Sequence, residues 1–137
     1  MKDSKVSSLE EFQRYREQMN KIILDKGNQV TKRFFALDSR AYEPGALTVK
    51  VKELLGLSCS TVLRCDDCIT YHIIRCVQEG VNTEEFFEAM NVALIVGGSI
   101  VIPHFRRAVD KYLECQKLQN DGISLDLAKP VEGHESH

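Results

Sequence analysis

The chain has 137 residues, 43% of them apolar and 28% charged, which is enough for one domain with a real core. Eighteen Lys and Arg against twenty Asp and Glu leave a formal charge of -2 with the signs interleaved, which excludes a protein built to neutralise nucleic-acid phosphates. The N-terminal Met1-Lys2-Asp3-Ser4-Lys5 leads into a charged amphipathic segment without an apolar signal core, and the longest apolar run, Val92 to Ile102, contains Gly97, Gly98 and Ser99 and falls short of the ~20 residues of a spanning helix, so a cytoplasmic protein without membrane contact is expected.

Apolar residues recur at three- and four-residue spacings almost throughout, which predicts an all-α fold. A first helix starts at Ser7 or Ser8 as N-cap, with Glu10 and Glu11 in its first turn, carries Leu9, Phe12, Tyr15, Met19, Ile22 and Ile23, and ends near Gly27. A second runs from about Gln29 to Ser39 before the Pro44-Gly45 turn. The third spans about Leu47 to Leu63, with Leu47, Val51, Leu54, Leu55, Val62 and Leu63 as its apolar positions and Gly56 as a local weakness. A fourth begins at Asp66 or Asp67 and stops at Gly80; a fifth opens at Thr83-Glu84-Glu85 and meets the Gly97-Gly98 pair. The last runs from Ser99 or His104 to Leu118. Residues 1–119 are thus expected to form one all-α domain and 120–137 a flexible tail, whose His134 and His137 read as solvated rather than metal-binding. The apolar stretch Val92–Ile102 is the expected subunit contact.

Five cysteines, Cys59, Cys65, Cys68, Cys76 and Cys115, are an odd count in a chain without an export signal, so clustered cysteines point to redox chemistry or metal rather than a disulfide framework. Cys65-Asp66-Asp67-Cys68-Ile69-Thr70-Tyr71-His72 is a C-x-x-C with a histidine four residues on, a spacing that sets Cys65, Cys68 and His72 in a row on one helix face. A helix N-terminus and a protonated His72 favour a thiolate at Cys68, while Asp66 and Asp67 oppose it unless their carboxylates turn to solvent or to a cation such as Arg64. Seven residues place Cys65 and His72 about 10 Å apart along a helix axis, too far for one metal to take both. Redox cysteines, buried structural cysteines and a metal site on Cys68 and His72 all stay open from spacing alone. Glu53, in the preceding helix, is placed either to orient His72 or to face water. Cys59, Cys76 and Cys115 are expected to be packed, His104 to be a cap or surface residue, and Tyr71 to pack between helices.

Glu53, Cys65, Cys68 and His72 resemble the E-x11-C-x-x-C-x3-H signature of the AhpD-like proteins in the carboxymuconolactone decarboxylase family, and the likeness continues through Glu79-Gly80-Val81, Thr83-Glu84-Glu85, Glu88-Ala89 and Gly97-Gly98, over roughly Leu47 to Tyr112. The resemblance implies an oligomeric helical bundle of trimers or hexamers, with no cofactor and no metal, that reduces peroxides or disulfides. Cys68 would attack the peroxide, Cys65 would resolve the sulfenic acid, Glu53 and His72 would relay protons, and an external dithiol would restore the pair. Where the peroxidase branch carries a histidine before its second cysteine, this chain carries Asp67. The family's decarboxylase branch generally lacks the cysteine pair; a lyase using Glu53 and His72 as acid and base, and a non-catalytic redox sensor, are the alternatives.

Overall fold

The computed structural model describes residues 6–125, and every regular element among them is helical. They form two compact units, one of the residues up to Glu43 with Leu125, the other from Pro44 to Ser124. The first unit holds α1 (Ser8–Lys26) and α2 (Gln29–Ala41). Ser7 caps α1 through a reciprocal box with Glu10, and Asn28 caps α2 by accepting from the Thr31 N–H. Leu9 and Ala36 are buried, whereas Val30, Phe34 and Leu37 recur at helical spacing as an exposed apolar stripe on α2.

The second unit consists of α3 (Val49–Val62), α4 (Asp66–Gln78), α5 (Thr83–Gly97), a short 3-10 turn (Ser99–Val101) and α6 (Ile102–Asn120). In it α4 packs against both α3 and α6, and α3 packs also against α5. Leu57, Ile69, Ile73, Ile74, Phe86, Met90, Val101 and Tyr112 fill its core. Phe86 stacks on Tyr112 with ring centroids 4.2 Å apart, and the buried Tyr112 hydroxyl accepts from Gln116 Nε2 at 3.0 Å, so the phenol is held without an orphaned polar atom.

The joint between α3 and α4 delivers the first cysteine. The Arg64 N–H donates to the Thr61 carbonyl at 3.0 Å and the Cys65 N–H to the Ser60 carbonyl at 3.1 Å, a Schellman closure that needs a left-handed residue between. Gly80 and Gly122 supply that residue at the ends of α4 and α6, but at the end of α3 it is Arg64, at φ 63. A side chain in that conformation costs about 1 kcal/mol, borne at the residue next to the C-x-x-C motif.

Several boundaries differ from the sequence pattern. Thr48 caps α3, which begins at Val49 rather than Leu47, and Gly56 does not interrupt it. At the other end of the unit α6 continues past Leu118 to Asn120, and Gly122 closes it; Leu125, of the first unit, is buried. The rest of the expected tail, with His134 and His137, lies outside the described residues. No described helix is long and apolar enough to cross a membrane.

Candidate active site

The site is built on the inner face of α3, which carries polar residues beside the buried Leu57. Val51, Leu55 and Leu63, three of the apolar positions read from the sequence, are exposed, while Glu53, Leu57, Ser60 and Thr61 are buried at helical spacing. Cys59, expected to be packed, is exposed as well, because it sits on the side of α3 opposite Leu57.

Glu53 is 1% exposed and His72, on the facing side of α4, 7%. His72 Nδ1 lies 2.8 Å from Glu53 Oε1. A carboxylate only accepts, so Nδ1 carries the proton and donates it, which leaves Nε2 as the acceptor nitrogen of the neutral ring. The second carboxylate oxygen, Oε2, pairs with Arg75 Nε at 3.5 Å, and Arg75 in turn reaches Glu79 Oε2 at 3.2 Å and Gln78 Oε1 at 2.8 Å. Sequence reasoning missed Arg75. Its signal was its position three residues after His72, on the same face of α4. Tyr71 meets the His72 ring edge-on, with centroids 5.2 Å apart.

Gly56 is what makes room for the imidazole. A Cβ at that position would lie 2.5 Å from His72 Cε1 and 2.7 Å from Nε2, closer than atoms can approach. The ring therefore lies directly on the α3 backbone, one turn beyond Glu53. Among the described residues no three His, Cys, Asp or Glu side chains gather closely enough to hold a metal ion.

Cys65 and Cys68 occupy different positions from the row their spacing suggested. Cys65 stands outside the helix as its N-cap, with its sulfur accepting the Cys68 N–H at 3.2 Å, and Cys68 is exposed in the first turn. Cys68 and His72 remain one turn apart on α4, and helical side chains lean toward the N-terminus, which tilts His72 toward the turn that carries Cys68. The other two thiols are withdrawn from chemistry. Burial, and then the Glu53 carboxylate, push the Cys76 thiol far above its ordinary range, and burial followed by the Glu114 charge pushes Cys115 up to about 11. At pH 8 a small alkylating reagent is expected to modify Cys59 and Cys68 in the native protein and to reach Cys76 and Cys115 only in denaturant, as peptide mass spectrometry would show.

Asp66 does not turn to Arg64. Its Oδ1 accepts from His104 Nδ1 at 2.7 Å and its Oδ2 from Arg107 Nε at 2.9 Å, both from the start of α6. His104 is therefore neither a cap nor a free surface residue. Because its Nδ1 proton is directed at Asp66, the 3.2 Å approach of Arg107 Nη2 to the same nitrogen is a contact and not a second hydrogen bond. Burial raises the Asp66 carboxyl, but the hydrogen bonds from His104 and Arg107 and their positive charge outweigh it and hold the group below the usual carboxylate range. A depressed folded-state value makes this contribution to stability complete above the ordinary ~3.9 and progressively lost as pH falls below it. The difference in unfolding free energy between the native chain and Asp66→Asn is thus expected to shrink as pH falls from about 5 toward 3 in denaturant titrations.

Residues 28–111 match the family model of the carboxymuconolactone decarboxylase family. Two crystal structures of the family protein TM1620 from Thermotoga maritima are similar to this chain. One has a TM-score of 0.82 at 55% identity, covering 85% of this chain and 99% of that one; the other has a TM-score of 0.80 at 57% identity, covering 82% and 98%. For TM1620, involvement in an antioxidative response has been suggested. A Legionella pneumophila member of the family, lpg0406, shares the fold with a TM-score of 0.74 at 21% identity, over 80% of this chain and 98% of its own. Among curated proteins, uncharacterized protein 4 in the cox locus of Paracoccus denitrificans is 28% identical over 83 residues, 61% of this chain and 75% of that protein.

Proposed function

The chain belongs to the carboxymuconolactone decarboxylase family, and from that premise we propose that it is a thiol-dependent oxidoreductase that reduces peroxides, with Cys68 as nucleophile, Cys65 as resolving thiol and Glu53 and His72 as its proton-handling pair. The observation that carries this reading is the buried Glu53–His72 hydrogen bond set one helical turn behind an exposed cysteine in the first turn of α4. The suggested antioxidative role of TM1620, and the two sulfurs themselves, favour thiol chemistry over lactone decarboxylation.

In the first step His72 Nε2 takes the Cys68 proton. The thiolate attacks the terminal peroxide oxygen, the O–O bond breaks, and the departing alkoxide takes a proton to leave as alcohol; Cys68 becomes a sulfenic acid. The Cys65 sulfur then attacks the Cys68 sulfur and water leaves, so that two thiols have supplied the two electrons gained by the peroxide. An external dithiol exchanges with the Cys65–Cys68 disulfide and restores both thiols. Glu53 keeps the Nδ1 tautomer throughout, and Arg75 shares its carboxylate.

The protein acts as a homo-oligomer in this reading. Val92, Ile95 and Val96 of α5 and Ile100 of the 3-10 turn after it are exposed, apolar side chains that an isolated chain would leave in water. The direct test is to treat the reduced protein with one equivalent of hydrogen peroxide or cumene hydroperoxide and map its cysteines by mass spectrometry. A Cys65–Cys68 disulfide, with Cys68 captured as the sulfenic acid when a trapping reagent is present, is the expected result. Peroxide left unconsumed and both thiols left free would overturn the proposal.

A further inference from the structure

The fork by which His104 and Arg107 hold Asp66 answers a difficulty created by the motif. Two carboxylates, Asp66 and Asp67, stand between Cys65 and Cys68 in sequence, and an uncompensated negative charge beside a thiol opposes its ionisation. Asp66, the first residue of α4, lies between the N-cap Cys65 and the first turn that carries Cys68. Both of its oxygens are taken by donors separated by one turn of α6, and both reach across 38 and 41 residues of sequence. Pro103 stands in the first turn of α6 just ahead of the fork. Other charged or titratable groups of this region include Asp67 and Arg64 beside the cysteines in sequence, Arg106 within the first turns of α6, His72 one turn on in α4, and Glu53, its partner on α3.

We propose that His104 and Arg107 are positioning residues for the thiol reaction: they compensate the Asp66 carboxylate, which keeps the Cys65–Cys68 end of the helix electropositive. This rests on the reading of Cys68 as the nucleophile. Neither residue touches the sulfurs in the role assigned; each acts through Asp66. The fork also gives Asp66 a purpose that a simple surface acid lacks, since the carboxylate is the fastening point and its charge is cancelled at that point.

The test is site-resolved alkylation of Cys68 in the reduced protein as a function of pH, using iodoacetamide at low concentration and the variants Arg107→Gln, His104→Gln/Arg107→Gln, and each of these combined with Asp66→Asn. Iodoacetamide is neutral, so its approach to the site does not itself respond to the changed charges. In the native chain the half-reactivity pH of Cys68 is expected to fall below the ~8.5 of an unperturbed thiol. Arg107→Gln is expected to slow labelling at pH 7 about threefold and the double variant about tenfold. Adding Asp66→Asn, which removes the charge left uncompensated, should restore the rate to within about twofold of native. A fork that only fastens α4 to α6 would lower the melting temperature of the variants and leave labelling unchanged, and that result overturns the inference. Ordinary Cys68 labelling in the native chain would instead count against the thiol reading itself, so the two failures are separable. Arg107 is more than half exposed, so the single variant is suited to reporting even where the double variant unfolds.

Discussion

Cys68→Ser is expected to reduce peroxide consumption, with dithiothreitol as donor, to background, a loss of about a thousandfold or more, while leaving the melting temperature within a degree or two of native. The first half follows from chemistry: a serine hydroxyl is not ionised near neutral pH and does not form the sulfenic intermediate. The second half follows from geometry, since Cys68 is exposed and its N–H, which donates to Cys65 Sγ, is unaffected by the change. Cys65→Ser separates the two sulfurs. Serine still serves as an N-cap, so α4 should form, and without dithiothreitol the variant should consume one equivalent of peroxide and stop at a trappable Cys68 sulfenic acid. A Cys68→Ser protein that still turned over peroxide would exclude this sulfur as the nucleophile. Stopped assays with cumene hydroperoxide and a thiol count on the same samples distinguish these outcomes.

The second large effect is expected from the smallest change, Gly56→Ala. Replacing glycine by alanine inside a helix ordinarily stabilises by roughly 1 kcal/mol. Here the new methyl would stand 2.5 Å from His72 Cε1, so the imidazole has to leave its place and its 2.8 Å bond to Glu53 is broken. A buried carboxylate stripped of one partner costs about 1–3 kcal/mol, which cancels or exceeds the helix gain, and loss of a positioned general base costs about a hundredfold in rate. Turnover should therefore fall about a hundredfold, with the melting temperature unchanged or a few degrees lower. Gly45→Ala is the matched control, because the nearest atom to its added methyl is the Lys52 Nζ at 3.8 Å, and it should alter neither quantity. Parallel kinetics and thermal melts on the two variants decide the matter; an active Gly56→Ala protein would mean that the ring can sit elsewhere and still work.

Some helix boundaries were legible from local chemistry: Ser7 caps α1, Thr83 opens α5 after Asn82, and Gly80 closes α4 where the sequence pattern puts them, whereas the Thr48 cap that starts α3 was not read. The face of α3 was not legible. Val51 and Leu55 point outward, and the inner face carries Glu53, Ser60 and Thr61 beside Leu57, so a rule that sends hydrophobic residues inward reads that helix only in part. The pairing of Glu53 with His72 was anticipated as one of two placements, since the type and spacing of the residues allowed it. The partners of Asp66 were not, because His104 and Arg107 come from a helix far along the chain and nothing local marks them. Gly56 was read as a weakness for the same reason: its value lies in what another helix places against it.

The carboxylate shared by His72 and Arg75 has a consequence for how such a site can change over generations. Glu53 lies under both partners with 1% of its surface exposed, so removing any one member strands charge or hydrogen-bonding capacity in the interior. A descendant that lost its thiols, and with them any peroxide chemistry, would still be held to the other three by the requirement to fold. Folding thus ties this glutamate, histidine and arginine to one another in addition to any chemistry they serve, whereas the exposed Cys68 sulfur is held by the chemistry alone.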